Sequence, residues 1–171
     1  MKYLISFSII TVTYNAKSEL QKTINSVQQQ NYKYFSHIIK DGYSTDKTNQ
    51  IDFSKYENTE FYTLKDKGVY DAMNHAFKLA KNEYIIFLNA GDIFFSKNSL
   101  KELAENIKNN PNFNSYSGGT VQINVQEERI KRIIGIGKLY KYLPLAQLPH
   151  PSFVIKKSIL RKLKNPFDSK L

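Results

Sequence analysis

The run Phe7-Ser8-Ile9-Ile10-Thr11-Val12-Thr13-Tyr14-Asn15 decides the fold. Phe7 to Val12 is rich in β-branched and aromatic residues and reads as a strand, and the polar Asn15 closes it. The same unit returns three times. His37-Ile38-Ile39 precedes Asp41, Phe61-Tyr62-Thr63-Leu64 precedes Asp66, and Ile85-Ile86-Phe87-Leu88 precedes Asp92. The stations Asn15, Asp41, Asp66 and Asp92 are separated by 26, 25 and 26 residues, and helix-like sequence follows each. That rhythm is one strand plus one crossover helix. Parallel strands joined by right-handed crossovers bring their carboxyl ends to one edge, and open α/β sheets bind ligands just outside that edge. The spacing predicts three carboxylates and an amide around one crevice.

Working outward, the helices are legible from periodicity. Leu20, Ile24 and Val27 follow Ser18 and Gln21, which have capping-box spacing. Val69, Ala72, Met73, Ala76, Phe77 and Ala80 make a wide apolar stripe. Leu100, Leu103, Ala104 and Ile107 repeat the pattern behind Ser99 and Glu102, a second capping box, until Pro111 stops the helix. Between the second and third stations the pattern weakens, which predicts only a short helix after Ser44. Tyr116 to Val125 alternates with period two and predicts a longer strand, paired antiparallel with the segment after Glu128 in a mixed sheet. A short helix is expected at Leu139–Leu143, then a proline-punctuated loop around His150, a last strand over Ser152–Ile155 and a short basic helix carrying Ile159, Leu160 and Leu163.

The 171 residues fit one domain that buries roughly 70% of the surface its unfolded chain exposes. Without cysteine, disulfides and thiolate metal sites are excluded. Tyr3 to Val12 reads as a buried strand, since Ser6, Ser8 and Thr11 interrupt it as a targeting segment. No apolar run approaches the ~20 residues that span a bilayer. The net charge of +10 is concentrated: residues 129–171 hold eleven Lys and Arg against one acid, Asp168. Such a face suits anionic lipid headgroups or a phosphorylated substrate, or is simply a solvated lysine-rich surface. No nucleic-acid-binding module accompanies it, so nucleic acid is not expected as a partner.

The first strand is followed by Thr13-Tyr14-Asn15-Ala16-Lys17, so neither a Gly-x-Gly-x-x-Gly dinucleotide turn nor a Walker phosphate loop is present. Phosphates must then be neutralised otherwise, by a divalent cation held by a carboxylate such as Asp92.

Four strings together carry a family resemblance: Ile9 to Asn15, Lys40-Asp41-Gly42-Tyr43-Ser44-Thr45-Asp46-Lys47-Thr48, Asp66-Lys67-Gly68-Val69-Tyr70-Asp71-Ala72-Met73-Asn74, and Phe87-Leu88-Asn89-Ala90-Gly91-Asp92. In this order and spacing the chain resembles the family 2 glycosyltransferases of the GT-A fold, best over residues 5–95. The resemblance implies a Rossmann-like, mixed but mainly parallel sheet flanked by helices, in a single domain whose nucleotide-sugar half is 1–110 and whose incomplete acceptor half is 111–171. It implies transfer of a sugar from a nucleotide-sugar donor, UDP-linked as the first expectation, usually with inversion, onto a saccharide or lipid-linked acceptor in bacterial surface polysaccharide synthesis. Carried over, Thr13 and Asn15 line the nucleotide pocket and Asp41 binds the base. Asp66, Lys67 and Gly68 lie by the ribose and diphosphate, Asn74 and Asn89 complete the donor site, and Asp92 holds Mn²⁺ or Mg²⁺. The usual Asp-x-Asp appears as Asn89-Ala90-Gly91-Asp92, which leaves one carboxylate. The catalytic base is expected beyond Leu171, with His150 the weaker candidate. A cytoplasmic protein touching the inner membrane face through residues 129–171 is the matching location.

Rival readings stand beside these. Asp41 before Gly42 is also a turn residue. Asp46 reads as a helix-start residue, Asp71 as structural or functional, Asn74 as a hydrogen-bonding bridge, and His150 as loop packing. A C-terminally truncated, catalytically incompetent donor-binding protein is the alternative function. A nucleotidyltransferase-like enzyme would need a glycine-rich, Lys- or Arg-bearing loop after the first strand.

Overall fold

The computed structural model describes residues 4–124, 129–134, 150–163 and 166–167. The regular elements are β1 (Phe7–Thr13), α1 (Lys17–Gln28), β2 (Phe35–Asp41), β3 (Thr59–Thr63), α2 (Val69–Leu79), β4 (Tyr84–Phe87), α3 (Ser99–Asn109), β5 (Ser115–Ser117), β6 (Thr120–Asn124), β7 (Arg129–Ile134), β8 (Phe153–Lys156) and α4 (Lys157–Leu160). One six-stranded sheet has the order β3-β2-β1-β4-β8-β5. Its first four strands run parallel, whereas β8 is antiparallel to β4 and β5 antiparallel to β8. β6 and β7 form a separate antiparallel ribbon with a register shift at Gln122/Ile123.

β1 is central, and every one of its residues is buried. Alternate side chains feed two cores. Phe7 and Ile9 pack with Tyr84, Ile86 and Leu88 against Val27 of α1 and Leu100, Ala104 and Ile107 of α3. Ile10 and Val12 pack with Ile38, Ile85 and Phe87 against Ala72, Met73, Ala76 and Phe77 of α2 and Leu160 of α4. The chain steps from β1 outward to β3, then returns through α2 to place β4 on the opposite side of β1. That reversal is a topological switch point, where strand ends splay and a crevice opens.

Several local expectations change. The segment after Ser44 makes two 3-10 turns, Thr48–Gln50 and Phe53–Lys55, and no α-helix. Ile51, Phe53 and Tyr56 cover that part of the sheet, with Phe53 stacked on Phe61 at 4.1 Å between ring centres. Neither capping box forms. Ser18 and Ser99 lie inside their helices, and acceptors come from other elements: Asp46 takes the Lys17 N–H at 2.8 Å, and Gln30 takes the Leu100 N–H at 3.0 Å. The single strand expected from Tyr116 to Val125 is split at Gly118-Gly119 into β5 and β6, which join different sheets. Val69, expected in the α2 stripe, is 49% exposed. The helix expected at Leu139–Leu143 lies outside the described residues, as does Asp168. His150 opens a 3-10 turn, His150–Ser152, just ahead of β8. Among the described residues no helix is long and apolar enough to cross a membrane.

Candidate functional site

The register sets the strand ends level. Thr13 pairs with Asp41 and Asp41 with Thr63, while Gly42 N–H donates to Thr13 O at 2.9 Å and Leu64 N–H to Asp41 O at 3.0 Å. Across the switch point, Ala90 N–H donates to Val12 O at 3.2 Å. Asn15, Asp41, Asp66 and the Asn89–Asp92 turn thus follow four neighbouring strands on one edge.

On the β2 side the loops are laced together. Asn15 adopts a left-handed conformation (φ +48°), an arrangement asparagine tolerates better than most residues. Its Oδ1 accepts the Thr45 N–H at 2.8 Å, and its own N–H donates to Ser44 Oγ at 2.8 Å. Asp41 is fully buried; its Oδ2 accepts the Tyr43 and Ser44 N–H groups at 3.1 and 2.9 Å, and its Oδ1 accepts the Ser44 hydroxyl. The turn reading of Asp41 therefore describes its protein contacts, and its carboxylate is built into the crevice floor. Asp46 accepts from Thr48 N–H, Thr48 Oγ1 and Lys17 N–H, so it anchors the start of α1. The Thr48 hydroxyl bond is the main reason its carboxyl titrates below the usual range, with the backbone N–H donors adding to it.

Asp66 leaves β3 and turns inward to pair with Lys40, which is 1% exposed inside β2. Its Oδ1 accepts the Gly68 N–H at 3.0 Å, and Asp71 Oδ2 accepts the Lys67 N–H at 2.9 Å, so two carboxylates hold the turn that leads into α2. The structural reading of Asp71 describes this contact. Lys67 is exposed, and Gly68 holds φ +127° with open space where a side chain would stand. A Cβ on Gly42 would lie 3.0 Å from Asp66 Oδ2 and 3.2 Å from Tyr14, a tight fit that would require these side chains to shift by a few tenths of an ångström. Above it opens a groove of about 310 Å³ lined by Tyr14, Gly42, Tyr43 and Lys65.

Across the switch point one side chain binds two backbone groups of the fourth station. Thr23, buried in α1, donates to Asp92 O at 2.9 Å and accepts the Gly91 N–H at 3.0 Å, with Gly91 at φ +98°. Two buried polar atoms at the strand ends have no protein partner, Thr13 Oγ1 at the end of β1 and Asn89 Oδ1 in this turn. Asn74 has protein partners of its own. Its amide makes a two-point bridge to the backbone of Phe167, Nδ2 to O at 2.8 Å and N–H to Oδ1 at 3.2 Å, and Phe167 stacks parallel to Tyr70. The bridging reading of Asn74 thus describes its contacts.

Among the described residues no group of three His, Asp or Glu side chains could hold a cation. Asp92 supplies one carboxylate, and Asn89 Oδ1 is a carbonyl oxygen of the type Mg²⁺ and Mn²⁺ accept. This donor set fits a metal shared with a ligand's phosphates and does not fit one held by protein alone.

Sequence reading assigned no role to Lys40, Tyr14, Gly42, Tyr43, Lys65 or Thr23. The signals were a lysine interrupting an apolar strand, aromatic residues directly after two strand ends, and a threonine on the apolar face of α1. A buried histidine lies behind the edge: His37 Nε2–H donates to Thr11 Oγ1 at 2.8 Å, and Thr11 donates to Leu88 O at 2.7 Å. Full burial pushes its pKa down to about 3, so the ring is neutral.

A sheet reversed between β1 and β4, with acids at the carboxyl edge and no glycine cradle, defines the GT-A class. Solved structures agree with this fold. Staphylococcus aureus TarS in complex with UDP aligns over 98% of this chain and 51% of that one, with a TM-score of 0.75 and 22% identity. A mannosyltransferase of Pyrobaculum calidifontis in complex with GDP-Man and Mn²⁺ aligns over 99% of this chain and 49% of its own, with a TM-score of 0.73 and 16% identity. The model of Glycosyl transferase family 2 matches residues 8–164, and the chain belongs to that family. A curated relative, the Escherichia coli UDP-Glc:alpha-D-GlcNAc-diphosphoundecaprenol beta-1,3-glucosyltransferase WfaP, is 39% identical over 88 residues, 50% of this chain and 35% of its own length. The Bacillus subtilis putative teichuronic acid biosynthesis glycosyltransferase TuaG is 33% identical over 90 residues, again 50% of this chain and 35% of its own. The chain spans well under half the length of these curated relatives.

Proposed function

We propose that this chain binds a nucleotide-sugar donor, a UDP-sugar first, and takes part in its transfer, with inversion, to a saccharide or lipid-linked acceptor in bacterial surface polysaccharide synthesis. The observation that carries the reading is the convergence of Asn15, Asp41, Asp66 and Asp92 on one edge beside a groove walled by Tyr14 and Tyr43. A flat base fits between aromatic walls, and Asp41, fixed beneath, retains one acceptor site, on Oδ1, for a base N–H. Exposed Lys65 and Lys67 flank the same turn and favour a diphosphate. Asp92 and Asn89 would hold the Mn²⁺ or Mg²⁺ ion that, when bound, stabilises the leaving diphosphate. Transfer is direct displacement at the anomeric carbon: the acceptor oxygen bonds to it, the bond to the nucleoside diphosphate breaks, and a base takes the acceptor proton. WfaP, whose name specifies UDP-Glc and a diphosphoundecaprenol-linked sugar, supports a UDP donor and a lipid-linked acceptor.

Calorimetry with UDP-, GDP- and dTDP-sugars, with and without Mn²⁺, tests the reading. Metal-dependent binding of one nucleotide class, weakened at least tenfold by Asp92→Asn, is expected; no binding of any nucleotide overturns it. The exposed Arg129, Lys131 and Arg132 belong to the proposed contact with an anionic inner membrane face. Equal liposome flotation with and without anionic lipid rules that contact out.

A further inference from the structure

We propose that Lys40 is a positioning residue for donor binding, acting through Asp66 to fix the floor of the Tyr14–Gly42–Tyr43 groove and the turn that opens α2. The inference rests on the nucleotide-sugar reading above. Lys40 is an ammonium at 1% exposure in a strand whose neighbours Ile38 and Ile39 are core, and among the described residues its ammonium pairs with Asp66 alone. Burying such a charge is costly, and apolar residues of similar volume generally stabilise an interior at least as well. The pair is therefore poorly explained as a source of stability. It is well explained as a means of holding one carboxylate in one place.

The geometry shows what that placement controls. Asp66 Oδ2, on the Lys40 side, lies 3.0 Å from the point where a Cβ of Gly42 would stand, directly under the groove. Oδ1 holds the N–H of Gly68, the residue just ahead of α2. One carboxylate thus joins the floor of the groove to the Lys65–Gly68 turn, whose two exposed lysines flank it. Without Lys40 the carboxylate gains solvent and rotamer freedom, and floor and turn lose their common reference.

The test compares wild type, Lys40→Met, Asp66→Asn and the double variant for UDP affinity in Mn²⁺, alongside urea unfolding. Lys40→Met is expected to weaken UDP binding about tenfold under conditions where it is fully folded. It should weaken binding no further in the Asp66→Asn background. Lys40→Gln, which keeps an N–H donor toward Asp66, is expected to recover part of the affinity and also serves if Lys40→Met does not fold. Unchanged UDP affinity in a folded Lys40 variant, with only the unfolding midpoint lowered, overturns the proposal. So does an equal loss in the Asp66→Asn background, which would mean that Lys40 acts by its charge on the nucleotide. Failure of the wild type to bind any nucleotide removes the donor reading itself, and the inference with it.

Discussion

The two sides of the switch point are built in opposite ways. On the β2 side, Asn15, Asp41, Ser44 and Thr45 satisfy one another through a lattice of side-chain-to-backbone bonds, and Asp46 ties Thr48 to the start of α1. On the β4 side, the Asn89–Asp92 turn is held by backbone bonds and by one side chain, Thr23, that binds both Asp92 O and the Gly91 N–H, while Asn89 Oδ1 is buried without a protein partner. Buried polar atoms are ordinarily paired, so the second arrangement is the one that gains most from an added group. The first rim is a preformed receptor and the second a half-built one.

The contrast breaks most visibly at Asp41. Asp41→Ala strands two backbone N–H groups and a hydroxyl under the crevice floor, and should cost roughly 3–4 kcal/mol in urea unfolding together with nucleotide affinity. A loss under 1 kcal/mol would show that the lattice is redundant. Acid tests the layer beneath both rims. An unfolded chain protonates His37 near the ordinary value of 6.5, whereas the folded chain resists until about 3. Its contribution is thus complete above 6.5 and lost as the pH falls below it. Stability should drop by about 2 kcal/mol between pH 7.5 and 5, and His37→Leu should flatten that slope. On the half-built side, Thr23→Val should cost about 1–1.5 kcal/mol and weaken metal-dependent donor binding more than metal-free binding. Smallest in stability is Asp92→Asn, within about 0.5 kcal/mol of wild type because the side chain is partly exposed. Its signature is a lost response of nucleotide affinity to Mn²⁺.

The half of the fold built from repeating units was legible because hydrophobic period and station spacing are local signals. β1 to β4 and the three long helices follow from Phe7, Leu20, Ala72 or Leu100 and their neighbours. What stayed hidden depends on contacts between distant residues. Ser18 and Ser99 have correct capping spacing, yet Asp46 and Gln30 reach in from elsewhere and take the role. Lys40 reads as a strand interruption until β3 sets Asp66 beside it. Gly118-Gly119 marks a break that periodicity alone does not assign to two sheets. At the site, sequence named the stations, and the structure added that Asp41 and Asp66 have partners of their own and that Asn74 bridges to Phe167.

The order β3-β2-β1-β4-β8-β5 also has a consequence for synthesis. By Phe87 all four parallel strands have been translated, but β4, the fully buried Tyr84-Ile85-Ile86-Phe87, has one bare edge until Phe153–Lys156 arrives 69 residues later. At ~5–20 residues per second that interval is roughly 3–14 s, during which an unpaired apolar edge is a template for another nascent chain. The same topology that completes the donor edge early leaves the growing chain dependent on β8 for protection against aggregation.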